Sequence, residues 1–176
     1  ELTQDYIRKF LIAYYTKKDL EENRSRYKPF MTDGLYTSVV NMENEPVNQT
    51  YKGYVVDQAF KSADIFIDER NHTAIATINY TNTLLKNKGD YKDAQKNVAS
   101  KNTLRLTFTK DGKKFKVNNM SYLIVTDSAN VTDTTNSYGT LESASSSGSN
   151  ASTSTGTSGS SNATSPTSTD SLNSEE

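Results

Sequence analysis

The hydrophobic pattern of the chain changes its period near Tyr51, and this change constrains the fold more than any other feature. Before it, apolar residues recur at helical spacing; from about residue 62 to residue 125 they alternate with polar residues. A period of about 3.6 residues is typical of an amphipathic helix, and a period of two is typical of a strand with one buried face. Helices that precede all of the strands predict an α+β domain.

Two helices are predicted before residue 28. Thr3 is a suitable N-cap for the first, which runs to about Lys17. Asp19 is predicted to cap a second, more polar helix over residues 20–27. This helix ends before Pro29, because proline disfavours helical geometry in the residue before it. One half of the first helix carries the apolar residues Leu2, Tyr6, Ile7, Phe10, Leu11, Ala13 and Tyr14.

A third helix is predicted to begin at Thr32 or Asp33 and to include the segment GLYTSVVNM. Pro46 prevents this helix from continuing, because proline cannot donate the backbone hydrogen bond that a helix interior requires.

Four antiparallel strands are predicted after the change of period, over residues 62–68, 73–85, 103–109 and 114–125. Asp111 and Gly112 are typical of a two-residue hairpin between the last two strands. A phase change is predicted near Asn118 and Asn119, and a lysine-rich loop over residues 86–101. We therefore expect a cone: three N-terminal helices packed on a curved four-stranded antiparallel sheet, with the first helix across its apolar face.

Composition divides the chain into a predicted domain over residues 1–126 and a Ser/Thr-rich tail over residues 127–176. The mean hydropathy of the whole chain is −0.76, and the tail has too few apolar residues to offset the entropy of ordering it. All 20 basic residues lie at or before Lys116. The domain therefore carries a net charge of +5 and the tail −6. The positive charge of the domain is too small to predict direct, specific nucleic-acid binding.

No catalytic, cofactor-binding or metal-binding set is predicted. His72 is the single histidine and falls in a predicted turn, so no base is available for a Ser-His-Asp arrangement. Asp57, Asp64 and Asp68 are predicted to lie on the wet face of the first strand. The chain has no cysteine, and neither a phosphate-binding glycine loop nor a cluster at metal-ligand spacing occurs.

The order of elements and the segment FLIAYYTKKD at the end of the first helix resemble the cystatin-like or nuclear-transport-factor-two-like fold. Within that fold, the chain resembles the VirB-eight-like subunits of type IV secretion, in particular the PrgL-type subunits of Gram-positive conjugation machines. The resemblance lies in the helix order, the Asn/Lys/Thr-rich composition and the lack of catalytic residues. The resemblance implies a scaffold that contacts other secretion-channel subunits. It also implies an upstream membrane helix, with this domain outside the cell membrane in the cell-wall zone.

The alternative function is a cell-surface ligand-binding or enzymatic protein of the same cone fold. For a scaffold, the candidate partner interface is Arg8, Ile12 and Tyr15, because these residues lie outside the apolar half of the first helix. An exposed isoleucine beside a tyrosine and an arginine is typical of a patch that anchors a partner. We expect the domain to be a monomer or a weak homo-oligomer in solution.

Overall fold

The computed structural model describes residues 1–124. The predicted Ser/Thr-rich tail over residues 127–176 lies outside the described residues, so its boundary stays a prediction. The helices are α1 (Gln4–Tyr15), α2 (Arg24–Tyr27), α3 (Asp33–Asn44) and α4 (Pro46–Gln49), with a 3-10 turn over Lys28–Phe30. The strands are β1 (Val55–Asp68), β2 (Thr73–Leu84), β3 (Gln95–Asp111) and β4 (Lys114–Leu123).

The predicted α+β class and the antiparallel four-stranded sheet are confirmed, and the strands pair in the order β1-β2-β3-β4. Register shifts interrupt each of the three pairings, and such bulges bend a strand and increase its twist. One shift lies at Asn118, between the pairs Thr107–Asn119 and Phe108–Val117, where the phase change was predicted. The β3–β4 hairpin is also confirmed, but its two turn residues are Gly112 and Lys113.

The helix predictions need three corrections. Residues 20–23 form turns and only Arg24–Tyr27 is helical, because Glu21 has a positive φ of 75°, which no helix interior accepts. Asp19 caps no helix; its carboxylate instead accepts hydrogen bonds from the backbone amides of Leu20 and Gly53. Helix α3 ends at Asn44, before Pro46, as predicted, but Pro46 also begins α4, a fourth helix that was not predicted, since proline suits the first turn of a helix.

The lysine-rich loop is shorter than predicted. Residues 95–101 belong to β3, so the connection from β2 ends at residue 94. The strand extends because Asn79 and Tyr80 of β2 still pair with Lys101 and Ser100, and backbone pairing along a long partner strand outweighs the polar composition of this segment.

Helix α1 lies on the inner face of the sheet, as its apolar half-wheel predicted. Ile7, Phe10 and Leu11 have no exposed surface. They belong to one core cluster with the inward-facing strand residues Ala74, Ala76, Ile78, Leu104, Leu106 and Phe108. Burial of each large side chain, such as Phe10 or Leu106, stabilises the fold by roughly 1.5–3 kcal/mol. Helix α1 is therefore a main packing partner of the inner face.

The end of α1 is fixed by the segment that follows it. The Asn23 side chain is fully buried, and its amide donates hydrogen bonds to the Ala13 and Tyr14 carbonyls at 3.0 and 2.8 Å. These carbonyls belong to the last turn of a helix, which has no internal partners for them. The chain then joins the sheet edge, where the Lys17 amide donates to the Gln58 carbonyl at 3.0 Å.

Candidate protein-binding surface

The interior of the cone is filled by side chains. Tyr15 packs on Tyr80 with ring centroids 4.9 Å apart, and its hydroxyl accepts a hydrogen bond from the buried Asn102 amide at 3.1 Å. Burial raises the pKa of Tyr14 and Tyr15 well above the ordinary value, and a neighbouring Tyr122 adds to both shifts. These tyrosines therefore stay neutral at physiological pH and act as packing and hydrogen-bonding groups.

A buried ionic cluster lies where the helices meet. Glu43 of α3 is 4% exposed. One of its carboxylate oxygens accepts from Arg24 Nε at 2.8 Å and the other from the Tyr27 hydroxyl at 2.9 Å. Because both oxygens are occupied by partners from the α2 region, this carboxylate ties α3 to α2. No sequence pattern indicated the cluster, since Glu43 occurs in a polar stretch that is typical of an exposed helix end.

Lys17 is also buried, with 7% of its surface exposed. Burial lowers the pKa of Lys17 to about 8, and the nearby carboxylates of Glu43 and Asp19 oppose this shift. Within residues 1–124, no group of three His, Asp or Glu side chains comes together in a way that could hold a metal ion. In the same part of the chain, none of the helices is both long enough and apolar enough to cross a bilayer.

His72 and the aspartates of the first strand lie where the sequence predicted. His72 is exposed in the turn between β1 and β2, and the centroid of its ring lies 5.1 Å from that of Phe115. Asp57, Asp64 and Asp68 are all exposed along β1. Asp68 also accepts hydrogen bonds from the Asn71 amide groups, which lower its pKa.

The candidate interface of Arg8, Ile12 and Tyr15 is not one exposed patch. Ile12 is 42% exposed, but Tyr15 is 2% exposed and belongs to the core, so its predicted outward direction is wrong. The physical reason is that Tyr80 of β2 and Asn102 of β3 both contact Tyr15 at the C-terminal end of α1. Arg8 is half-buried and donates from Nη2 to the Ala63 carbonyl at 3.2 Å, which fixes it against β1.

A different apolar surface lies on the outer face of the sheet, opposite α1. Phe66 of β1 pairs with Ile75 of β2, which pairs with Arg105 of β3. Phe66 is 72% exposed and Ile75 is 45% exposed. We call Phe66, Ile75 and Arg105 the outer row; together with Leu123 of β4 they border a depression of about 460 Å³. Large apolar side chains on a solvated face are typical of interaction sites when they cluster.

Opposite charges lie at the two ends of the outer row. On β1, Asp64 and Asp68 lie two residues before and after Phe66 and are exposed. On β3, Arg105 is exposed. None of the ion pairs formed among residues 1–124 includes these three side chains. The alternation of β1 could have indicated Phe66, because it falls on the same face as the aspartates.

A second depression lies between α3 and β4, with a volume of about 560 Å³. Leu35, Val39 and Met42 of α3 line one side, and Met120 and Tyr122 of β4 line the other. Val39 is buried, and Leu35 and Met42 are half-buried. Tyr14 and Val39 in the lining of this groove belong to the core cluster, whereas Phe66, Ile75 and Arg105 do not.

The chain was compared with known proteins. No family model matches it, and no curated protein matches it. Among solved structures, it is similar in fold to a chain described as TraE protein in complex with 4-(1H-pyrrol-1-yl)pyridine-2-carboxylic acid, with a TM-score of 0.49 and 6% sequence identity. The alignment covers 68% of this chain and 93% of that chain. A similarity of this size carries no information about the function of the present chain.

Proposed function

We propose that this domain is a scaffold subunit of a conjugative type IV secretion channel, of the VirB-eight-like kind, and that it acts through protein–protein contacts. The observation that carries the proposal is the contrast between the two sides of the sheet. Tyr15, Tyr80 and Leu104 fill the inner side and are at most 2% exposed. Phe66 and Ile75 stand exposed on the outer side, where a partner can reach them.

Further support comes from the order of the elements. Helix α1 lies across a sheet whose strands all follow the helices, which is the arrangement that the resemblance to VirB-eight-like subunits implies. The buried ionic groups fit a structural role, since Arg24 and Tyr27 occupy the Glu43 carboxylate. A general acid or base has to be within hydrogen-bond reach of a substrate atom, and this carboxylate is occupied by the protein itself.

The proposal includes a location and partners. In it, the domain belongs to a Gram-positive, PrgL-type subunit, is anchored by a membrane helix upstream of Glu1, and stands outside the cell membrane. Its partners are other channel subunits, with weak contacts between copies of itself. Membrane anchoring would concentrate such copies, so contacts that are weak in solution become effective.

Deletion of the gene in its host, followed by measurement of conjugative transfer, tests the proposal. We expect transfer to fall to background and to recover when the full-length gene is supplied in trans. A complementing gene with His72→Ala is the control, because this exposed turn residue has no role in the proposed contacts. Normal transfer by the deletion strain would contradict the proposed function.

The location is tested separately by treating intact cells with a protease. We expect the domain to be digested in protoplasts, whose wall has been removed and whose membrane is intact, while a cytoplasmic marker protein stays undigested. Protection of the domain until the membrane is lysed would contradict the extracytoplasmic location.

A further inference from the structure

The outer row is arranged so that it can pair with a second copy of itself. Phe66, Ile75 and Arg105 lie at the same level on three neighbouring strands. The acidic side of this face is β1, with Asp64 and Asp68, and the basic side is β3, with Arg105. Ile75 lies between the two sides, on β2.

We propose that the outer face of the sheet is a homodimer interface with a two-fold axis parallel to β2. Rotation about such an axis keeps the level along the strands and exchanges β1 with β3. It therefore places Arg105 of each copy over Phe66 of the other, between Asp64 and Asp68. An isologous interface has to be self-complementary in this way, because each contact occurs twice.

The contacts are those that Arg105 can make best. A guanidinium over an aromatic face gains a cation–π interaction, and the two flanking carboxylates neutralise its charge. Two sheets that pack face to face lie about 10 Å apart, a distance that arginine and phenylalanine side chains span from opposite sides. The two Ile75 side chains meet at the axis and exclude water from its centre.

A two-fold axis across the strands would not give this result. It would place β1 over β1, and the exposed carboxylates of Asp64 and Asp68 would face one another. Like charges in contact disfavour association. The distribution of charge thus selects one orientation of the second copy.

The interface is small. Each partner of a stable complex buries roughly 800 Å², and three strands that carry one apolar row provide less apolar contact than that. We therefore expect a weak dimer, which sedimentation of the full 176-residue chain over a wide concentration series detects. The inference rests on the proposed function in taking the outer face as the contact surface, and it goes further by naming a second copy as the occupant; its tests need no secretion system, so the two proposals can fail separately.

Reciprocal charge changes test the pairing of Arg105 with the aspartates. Arg105→Glu reverses the charge at the β3 end of the outer row, and the double substitution Asp64→Lys with Asp68→Lys reverses it at the β1 end; the exposed Lys101 of β3 is unchanged in both. We expect each variant alone to associate at least about tenfold more weakly than the wild type, because like charges then face each other. An equimolar mixture of the two should associate at least as strongly as the wild type.

Lys113→Glu is the matched control, because it makes the same charge change in the exposed β3–β4 turn. It should leave association unchanged. A wild type that stays monomeric at every concentration would overturn the proposal. A mixture of the two variants that stays as weak as its components would do so as well.

Chemical crosslinking tests the position of the axis. The chain has no cysteine, so Ile75→Cys introduces a single thiol at the proposed axis. A short bis-maleimide should link this variant into dimers. Val47→Cys, which replaces a 50% exposed side chain on α4, should stay monomeric under the same conditions. Equal crosslinking of the two variants would place the contact elsewhere and contradict the axis.

Discussion

The two faces of the sheet are built from the same four strands, yet only one of them holds the fold together. The inner face presents Ala76, Ile78, Leu104 and Leu106, and all four are fully buried beneath the helices. The outer face carries mainly threonine, asparagine and charged residues, and Phe66, Ile75 and Leu123 are among its apolar exceptions. Successive side chains of a strand point to opposite faces, so Ile65 of β1 is buried with the core whereas the neighbouring Phe66 is exposed and is free for the contact that we propose.

The largest effect that the comparison predicts concerns two phenylalanines. Phe10 of α1 has no exposed surface, whereas Phe66 is 72% exposed. Phe10→Ala should lower the free energy of unfolding by about 3–5 kcal/mol, since it leaves a cavity in the core. Phe66→Ala should change it by less than about 0.5 kcal/mol.

Urea denaturation of both variants at low protein concentration measures the difference while avoiding self-association. Equal losses of stability in the two variants would break the comparison, because they would mean that Phe66 is part of the core.

A smaller effect is expected where α1 is held on the inner face. Asn23→Ala removes the two hydrogen bonds to the Ala13 and Tyr14 carbonyls and leaves these carbonyls without that partner. The free energy of unfolding should fall by about 2 kcal/mol. Asn41→Ala is the control, because Asn41 is exposed on α3 and should cost far less. A neutral Asn23→Ala variant would mean that the end of α1 is fixed by other contacts.

The smallest effect is a pH dependence that comes from Lys17. Burial lowers the pKa of Lys17 in the folded protein to about 8, from 10.5 in the unfolded chain. The unfolded chain therefore binds more protons between these two pH values, so stability rises with pH in that range. Between pH 7 and 9 we expect the free energy of unfolding to increase by about 1.3 kcal/mol relative to a Lys17→Met variant, since each pH unit of differential protonation is worth about 1.4 kcal/mol.

The comparison with Lys17→Met also removes contributions that both proteins share. Above about pH 10 the buried tyrosines oppose the rise, because burial raises the pKa of Tyr14 and Tyr15 and their ionisation favours the unfolded chain. Parallel pH profiles for the two proteins would show that Lys17 is solvated in the folded state.

Much of the fold could be predicted from the sequence because burial follows period. The alternation through Ala74, Ala76 and Ile78 identified the inner face, and the half-wheel around Phe10 and Leu11 identified the buried side of α1. Those patterns are local. The short helices were harder, because the positive φ at Glu21 depends on tertiary contacts such as the ion pair from Lys52 Nζ to Glu21 Oε2 at 2.7 Å.

The candidate interface could not be predicted for a related reason. Tyr15 was assigned to the surface because it lies outside the apolar half-wheel, but it follows Leu11 by four residues and shares that face of the helix. Its burial depends on Tyr80 and Asn102, which lie more than 60 residues away. Phe66 was missed because an alternating pattern assigns one whole face to solvent without distinguishing a threonine from a phenylalanine.

The most direct test of the account is the rate of conjugative transfer in a host whose own copy of the gene is deleted. Full-length protein with Phe66→Ser and Arg105→Glu should accumulate normally and melt like the wild type, but transfer should fall. The matched control, Val47→Ser with Lys113→Glu, makes the same kinds of change away from the outer row and should transfer normally. Wild-type transfer by the Phe66→Ser, Arg105→Glu protein would contradict the claim that the outer face of the sheet is the working surface.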